Sequence, residues 1–177
     1  MKSLTPILAQ LLVAVLLAGC AGYQKGSMPN REVATVYLEP VQNEAYISGI
    51  APLFQSALGR GIIESPLLRP ADSAESADMV AYVRLSDYEE QPIGYLESDT
   101  GQPISARVQL SAIISLWGAS GNPIVEDETI RTDSAVYSAP ETAFSNPIDQ
   151  SKPAIVRSLA ERVVLELELK RPVHSPQ

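Results

Sequence analysis

The segment from Ile104 to Leu116 constrains the fold more than any other part of the chain. Ile104, Ala106, Val108, Leu110, Ala112, Ile114 and Leu116 hold alternate positions, and Ser105, Arg107, Gln109, Ser111 and Ser115 fill most of the gaps. Successive strand side chains point to opposite faces, so period two held over this length predicts a long, half-buried strand. Gly118-Ala119-Ser120-Gly121-Asn122 follows as a turn, and Ile124 to Val136 returns as the antiparallel partner. A sheet with one apolar face must bury it against another layer.

The rest of the chain supplies that layer. Val33 to Leu38 is rich in β-branched residues and stops at Pro40, which predicts a first strand. Ser48 then offers an N-cap, and Ile50, Leu53, Phe54, Ala57 and Leu58 follow at helical spacing, with Gly59 and Gly61 marking an end. After a loop from Ser65 to Ala77, Met79 to Tyr88 alternates. Ala81, Val83 and Leu85 lie on one face, and Tyr82, Arg84 and Ser86 on the other. A polar loop is expected from Glu89 to Pro103 and another from Ser138 to Gln150. Ser151 can cap a last helix with Pro153 in its first turn. Ile155, Val156, Leu159, Ala160, Val163, Val164 and Leu167 form one apolar stripe there, with Arg157, Glu161, Arg162 and Glu168 outside it. The order strand, helix, three strands, helix predicts an α+β two-layer sandwich. Its sheet is four-stranded and mostly antiparallel, with both helices on one face.

The N-terminus carries a different signal. Met1-Lys2-Ser3 precedes a mostly apolar run from Leu4 to Leu17, which is interrupted by Pro6 and Gln10. That run is shorter than the ~20 residues a helix needs to cross a bilayer, and its parts are those of an export signal. Leu17-Ala18-Gly19-Cys20 then resembles a lipobox, with cleavage between Gly19 and Cys20 and a diacylglyceryl group on the thiol. Cys20 is the chain's single cysteine, so an intramolecular disulfide is excluded and acylation gives the thiol a purpose. Each buried CH₂ of an acyl chain contributes about 0.8 kcal/mol, so two or more chains anchor stably. Ala21 follows, where an aspartate would resemble an inner-membrane retention signal, so the expected site is the periplasmic face of the outer membrane. The expected organisation is a leader over 1–19, a lipidated tether over 20–31, one domain over 32–171 and a tail over 172–177.

Charge and composition exclude several functions. The chain has 13 Lys and Arg against 21 Asp and Glu, a net charge of −8. Of these, only Lys2 lies in the leader. A nucleic-acid partner would need a basic face. The one histidine, His174, sits in the tail between prolines, which leaves Ser-His-Asp and Cys-His catalysis without their base. Zinc, copper and haem lose their usual ligands for the same reason, so no metal or cofactor is expected. Gly118 to Gly121 is a hairpin turn, not a phosphate cradle. Glu89-Glu90 and Glu126-Asp127-Glu128 are acidic runs at strand ends, which read as solvated surface. No catalytic residue is assigned.

Two features point to binding. Leu165 and Leu169 lie opposite the core stripe of the last helix, near Ser158 and Arg162, and form a candidate partner patch. Arg84, Arg107 and Arg131 fall on neighbouring strands, where they either line one sheet face or pair with acids such as Glu128.

Cys20-Ala21-Gly22-Tyr23-Gln24-Lys25-Gly26-Ser27 resembles the start of mature lipopolysaccharide-assembly lipoproteins, the LptE family, with its Gly-aromatic-x-x-Gly stretch after the lipidated cysteine. Val33 to Asn43 is similar to the family's first strand and the asparagine-ended segment that follows it. Ala77-Asp78-Met79-Val80 falls where the family has Ala-Asp before an apolar strand, and the element order matches. The resemblance implies a non-enzymatic plug and assembly partner of the outer-membrane β-barrel that transports lipopolysaccharide (LptD-like). It also implies lipopolysaccharide contact through basic residues on the sheet side, for which Arg84, Arg107 and Arg131 are the candidates. Two other classes fit the residues. One is an auxiliary lipoprotein of a lipid-trafficking ABC system. The other is a glycan hydrolase using two carboxylates ~5–9.5 Å apart.

Overall fold

The computed structural model describes residues 33–96, 99–137 and 147–172, all within one compact unit from Glu32 to Gln177. The expected leader, lipobox with Gly19 and Cys20, tether, residues 138–146 of the expected loop and His174 lie outside the described residues, while 147–150 belong to the last helix, which starts before the expected cap at Ser151. In chain order the elements are β1 (Ala34–Leu38), β2 (Gln42–Asn43), α1 (Ile50–Glu64) and β3 (Leu68–Pro70), then a 3-10 turn (Ala74–Ser76). They continue with β4 (Met79–Leu96), β5 (Asp99–Gly118), β6 (Pro123–Tyr137) and α2 (Pro147–Lys170).

The class is α+β, with two helices on an open mixed sheet of six strands rather than four mostly antiparallel ones. The strand order is β3-β1-β4-β5-β6, with β2 beside β4. β1 runs parallel to both β3 and β4, because the α1 crossover returns the chain in its original direction. The two extra strands are invisible to periodicity for a physical reason. β2 is two exposed residues, and β3 buries only Leu68 and ends at Pro70 on the sheet's edge, where a missing N–H costs nothing.

The expected loop from Glu89 to Pro103 is also corrected. β4 and β5 stay paired from Met79 opposite Gly118 to Leu96 opposite Asp99, with a bulge between Leu85 and Asp87 and irregular register beyond Pro92. Backbone pairing continues there after side-chain burial stops, so a polar run marks an exposed ribbon and not a break. The hairpin from β5 to β6 stands as expected, turning through Gly118 to Asn122.

The sequence pattern names the core well. Val108, Leu110, Ala112, Ile114 and Leu116 of β5 are fully buried, and the α2 stripe from Ile155 to Leu167 is buried. They join Val36, Met79, Ala81, Val83 and Leu85 from the sheet and Ile50, Phe54, Leu58 and Ile62 from α1 in one cluster. Burying each large aliphatic or aromatic side chain contributes about 1.5–3 kcal/mol. α1 runs on past Gly59 and Gly61 to Glu64, contrary to the expected end, and it starts after Gly49 at φ 75 without a side-chain cap from Ser48. Gly61 stays helical because α2 passes directly over it.

Polar contacts fix the layers. Ser65 at the end of α1 donates its hydroxyl to Glu168 of α2 at 2.5 Å, and accepts the N–H groups of Leu67 and Leu68. With Gly61 against Val164, this sets α1 and α2 side by side in the same direction. Thr132 of β6 bonds Ser158 of α2 at 2.9 Å, and Lys170 lies 3.6 Å from Glu128. In the 3-10 turn, the carboxyl of Glu75 is held below its ordinary range by its backbone N–H and by the Ser73 hydroxyl.

Candidate functional site

Two surfaces concentrate exposed, chemically distinctive residues. The first is the sheet face opposite the helices. Because side chains alternate along each strand, the register of pairing lays this face out in rows. Tyr37, Val80, Trp117 and Pro123 form one row across β1, β4, β5 and β6. Tyr82 opposite Ser115 forms the next, and Arg84, Ile113 and Thr129 the one after. Tyr82 is 45% exposed.

Opposite Ser115 the ladder of β6 slips by one residue, and Asp127 takes φ 50 in the bulge. That conformation is costly for a residue with a Cβ, and Asp is among the few that adopt it. Asp127 then accepts from Arg84 at 3.0 Å and from the Ser115 hydroxyl at 3.3 Å, while its own N–H donates back to Ser115. Glu44 adds a second carboxylate 3.8 Å from the Arg84 guanidinium. A groove of about 420 Å³ opens beside this group, lined by Glu39, Gln42, Tyr82, Arg84, Ile113 and Ser115 among others.

Arg84, Arg107 and Arg131 do share this face, since each pairs across strands with another outward residue. They do not form one cluster. Arg84 stands in the Ile113 row, Arg131 beside Ser111 and Arg107 opposite Gln91, so they spread over about 20 Å of strand. Arg84 is matched by Glu44 and Asp127, not by Glu128, which pairs with Lys170. Arg107 and Arg131 are exposed and have no ion pair within 4.0 Å among the described residues.

The second surface is the groove between α1 and α2, about 780 Å³, floored by Ala57, Gly61, Ala160 and Val164 and edged by Leu53, Arg60, Glu64 and Glu161. Leu165 lies on its rim at 53% exposure, while Leu169 is 65% exposed beyond it. Neither sits with Ser158 and Arg162. Those two turn toward β6, where Arg162 donates to the backbone carbonyl of Arg131. The helical period places residues three apart within reach, but the packing partner decides which side of the stripe each faces.

Sequence reasoning gave no binding role to Tyr82 or Asp127, and it set Leu53 on the apolar face of the first helix, where the structure leaves it 45% exposed. The outward half of the Met79–Tyr88 alternation did carry Tyr82, but nothing local marks an aspartate as a bulge residue. Among the described residues no group of three or more His, Cys, Asp or Glu is placed to hold a metal, and no helix is long and apolar enough to cross a membrane.

Neither a family model nor a curated protein matches the chain. Solved structures do. Protein XCC0632 from Xanthomonas campestris, of family DUF330, superposes with a TM-score of 0.57 at 6% identity, over 79% of this chain and 86% of that one. The hypothetical protein CT253 from Chlamydia trachomatis gives 0.54 at 12% identity, over 77% and 97%. Uncharacterized lipoprotein B from Nitrosomonas europaea gives 0.48 at 12% identity, over 76% and 79%. The first two likenesses establish a shared fold.

Proposed function

We propose that this chain is a lipoprotein anchored through Cys20 to the periplasmic face of the outer membrane. There it serves, without catalysis, as plug and assembly partner of the lipopolysaccharide-transport β-barrel. The observation that carries this reading is the shape of the sheet. Buried core residues on β4 end at Leu85 and on β5 begin at Val108, yet the two strands continue as a paired ribbon to Leu96 and Asp99. β6 accompanies β5 as far as Ser105 opposite Tyr137, so the sheet runs on three strands wide past the last buried position, Val108 opposite Glu90, and β4 extends about 20 Å from there to Leu96. Glu89, Glu90 and Gln91 are exposed on it in succession, and Ile93 and Tyr95 are 47% and 50% exposed. An extension that exposes Glu89, Glu90, Gln91 and Arg107 beside Ile93 and Tyr95 suits the polar interior of an outer-membrane barrel. The lipobox supports the location, and Arg107 and Arg131, exposed and without an ion pair among the described residues, are the candidate cations for lipopolysaccharide phosphates.

A mild-detergent pull-down of the tagged chain from its native membranes, read by mass spectrometry, tests the proposal. Stoichiometric recovery of a large β-barrel supports it. Recovery of inner-membrane transporter subunits instead moves the assignment to an auxiliary lipoprotein of a lipid-trafficking ABC system.

A further inference from the structure

We infer that the groove beside Tyr82 is a saccharide-binding site for neutral or amino-sugar pyranose chains, and that it rejects polyanionic ones. This goes beyond the barrel partnership and is independent of it, so either can fail alone.

The first argument is the platform. Tyr82 presents its ring on the sheet face away from the core, where no packing requirement explains a large half-exposed aromatic residue. An aromatic ring has a negative face and a flat apolar surface. The C–H face of a pyranose is flat, weakly positive and apolar, so the two stack without desolvating the sugar hydroxyls. Trp117 and Tyr37 occupy the neighbouring row and extend the aromatic surface along the same face.

The second argument is the set of polar groups around the ring. The Arg84 guanidinium has five N–H donors, and of the two carboxylates beside it Asp127 lies at hydrogen-bond distance while Glu44 stands at 3.8 Å. Donors therefore remain for a ligand, and both carboxylates keep unused lone pairs. Gln42, Glu39 and the Ser115 hydroxyl complete the lining. Vicinal sugar hydroxyls each give and take one hydrogen bond, which suits a rim that alternates fixed donors and acceptors. The groove's 420 Å³ falls within the range of small-molecule sites. Asp127, held at a positive φ, fixes the Arg84 guanidinium and the Ser115 hydroxyl, two of the groups that line the groove.

The third argument is charge, which selects among sugars. Glu39 and Arg84 line the groove, and Glu44 and Asp127 stand against the Arg84 guanidinium, so the surroundings of the groove carry three acids to one base. Phosphorylated or uronic chains meet like charge, whereas neutral chains do not and amino sugars gain attraction.

The test uses the full-length chain in detergent micelles, titrated with chitohexaose, with a partly deacetylated chitosan oligomer and with polygalacturonate. Trp117 is the only tryptophan, so its fluorescence reports on this face directly, with calorimetry as a second readout. Saturable binding of the two chito-oligomers and none of polygalacturonate is expected. Tyr82→Ala should weaken binding by about tenfold, and Tyr82→Phe should retain it, since stacking needs the ring and not the hydroxyl. Circular dichroism establishes that each variant is folded. Three results overturn the inference: no saturable response to either chito-oligomer, equal binding of polygalacturonate, or a folded Tyr82→Ala that binds like the parent.

Discussion

A methyl group added at Gly61 of α1 would stand 2.8 Å from Cγ2 of Val164 on α2. Real carbon contacts do not come that close, so the distance between the helices is set by the absence of a side chain at this one position. Val164 cannot yield easily, because a β-branched side chain in a helix has one favoured rotamer and this one is buried.

Gly61→Ala should therefore destabilise the fold by about 1–3 kcal/mol through overpacking, against a helix-propensity gain of about 1 kcal/mol. Gly59 lies two residues away in the same helix with nothing within 4 Å of its would-be Cβ. Gly59→Ala should stabilise by about 0.5–1 kcal/mol. Urea unfolding of the two variants should give midpoints shifted in opposite directions. Adding Val164→Ala should relieve part of the Gly61→Ala defect, and a pair that is simply additive would show that the contact is not the cause.

Asp78 should prove structural. Its carboxylate accepts the Thr35 N–H and the Thr35 hydroxyl, each at 2.7 Å, while its own N–H donates to that hydroxyl at 2.9 Å. The reciprocal pair locks β1 to the start of β4, where two parallel strands have little other means of fixing register. Asp78→Ala removes the shared acceptor of the Thr35 N–H and hydroxyl, leaving the hydroxyl only the backbone N–H of residue 78, and should cost about 1–3 kcal/mol. Hydrogen exchange should show faster exchange at Thr35 and Tyr37 with little change in β6. Uniform loss of protection would mean the lock is not local.

How much of this was legible follows from where the side chains point. β5 and α2 bury a full apolar face, so period two and the stripe from Ile155 to Leu167 identified them residue by residue. Gln42–Asn43 and the ribbon beyond Tyr88 are held by backbone pairing alone, and a backbone bond leaves no mark on residue type. Gly61 misled for a related reason. Glycine commonly ends a helix, and only the tertiary neighbour Val164 shows why it sits inside one. The arginines were placed on the right face, but the partners of Arg84 come from a bulge and from the segment after β2.

Asp127 separates conformation from charge. Its contact with Arg84 is an exposed ion pair, worth about 0–1 kcal/mol. Asn tolerates the left-handed region and keeps the Ser115 contacts, so Asp127→Asn should cost under about 1 kcal/mol. Asp127→Val puts a β-branched residue at φ 50 and should cost about 2 kcal/mol. Equal losses in thermal unfolding would assign the effect to the ion pair and not to the backbone.

The last prediction concerns the free edge of the sheet. Among the described residues β6 pairs with β5 alone, so there the other side of a 15-residue strand presents backbone groups without a strand partner, a template for association. Arg162 of α2 reaches over that edge and donates to the Arg131 carbonyl. A guanidinium bonded to one carbonyl also sets a bulky cation where an incoming strand would lie. Arg162→Ala should therefore change the unfolding midpoint little, since the side chain is exposed, yet it should promote self-association through β6. Light scattering against protein concentration should show the variant assembling where the parent does not. Arg162→Lys should restore most of the protection, because a charge at the edge suffices to obstruct pairing. If Arg162→Ala stays as dispersed as the parent while Lys and Ala variants behave alike, the guard of this edge lies elsewhere, and the acids Glu126, Glu128 and Asp133 along β6 become the ones to remove.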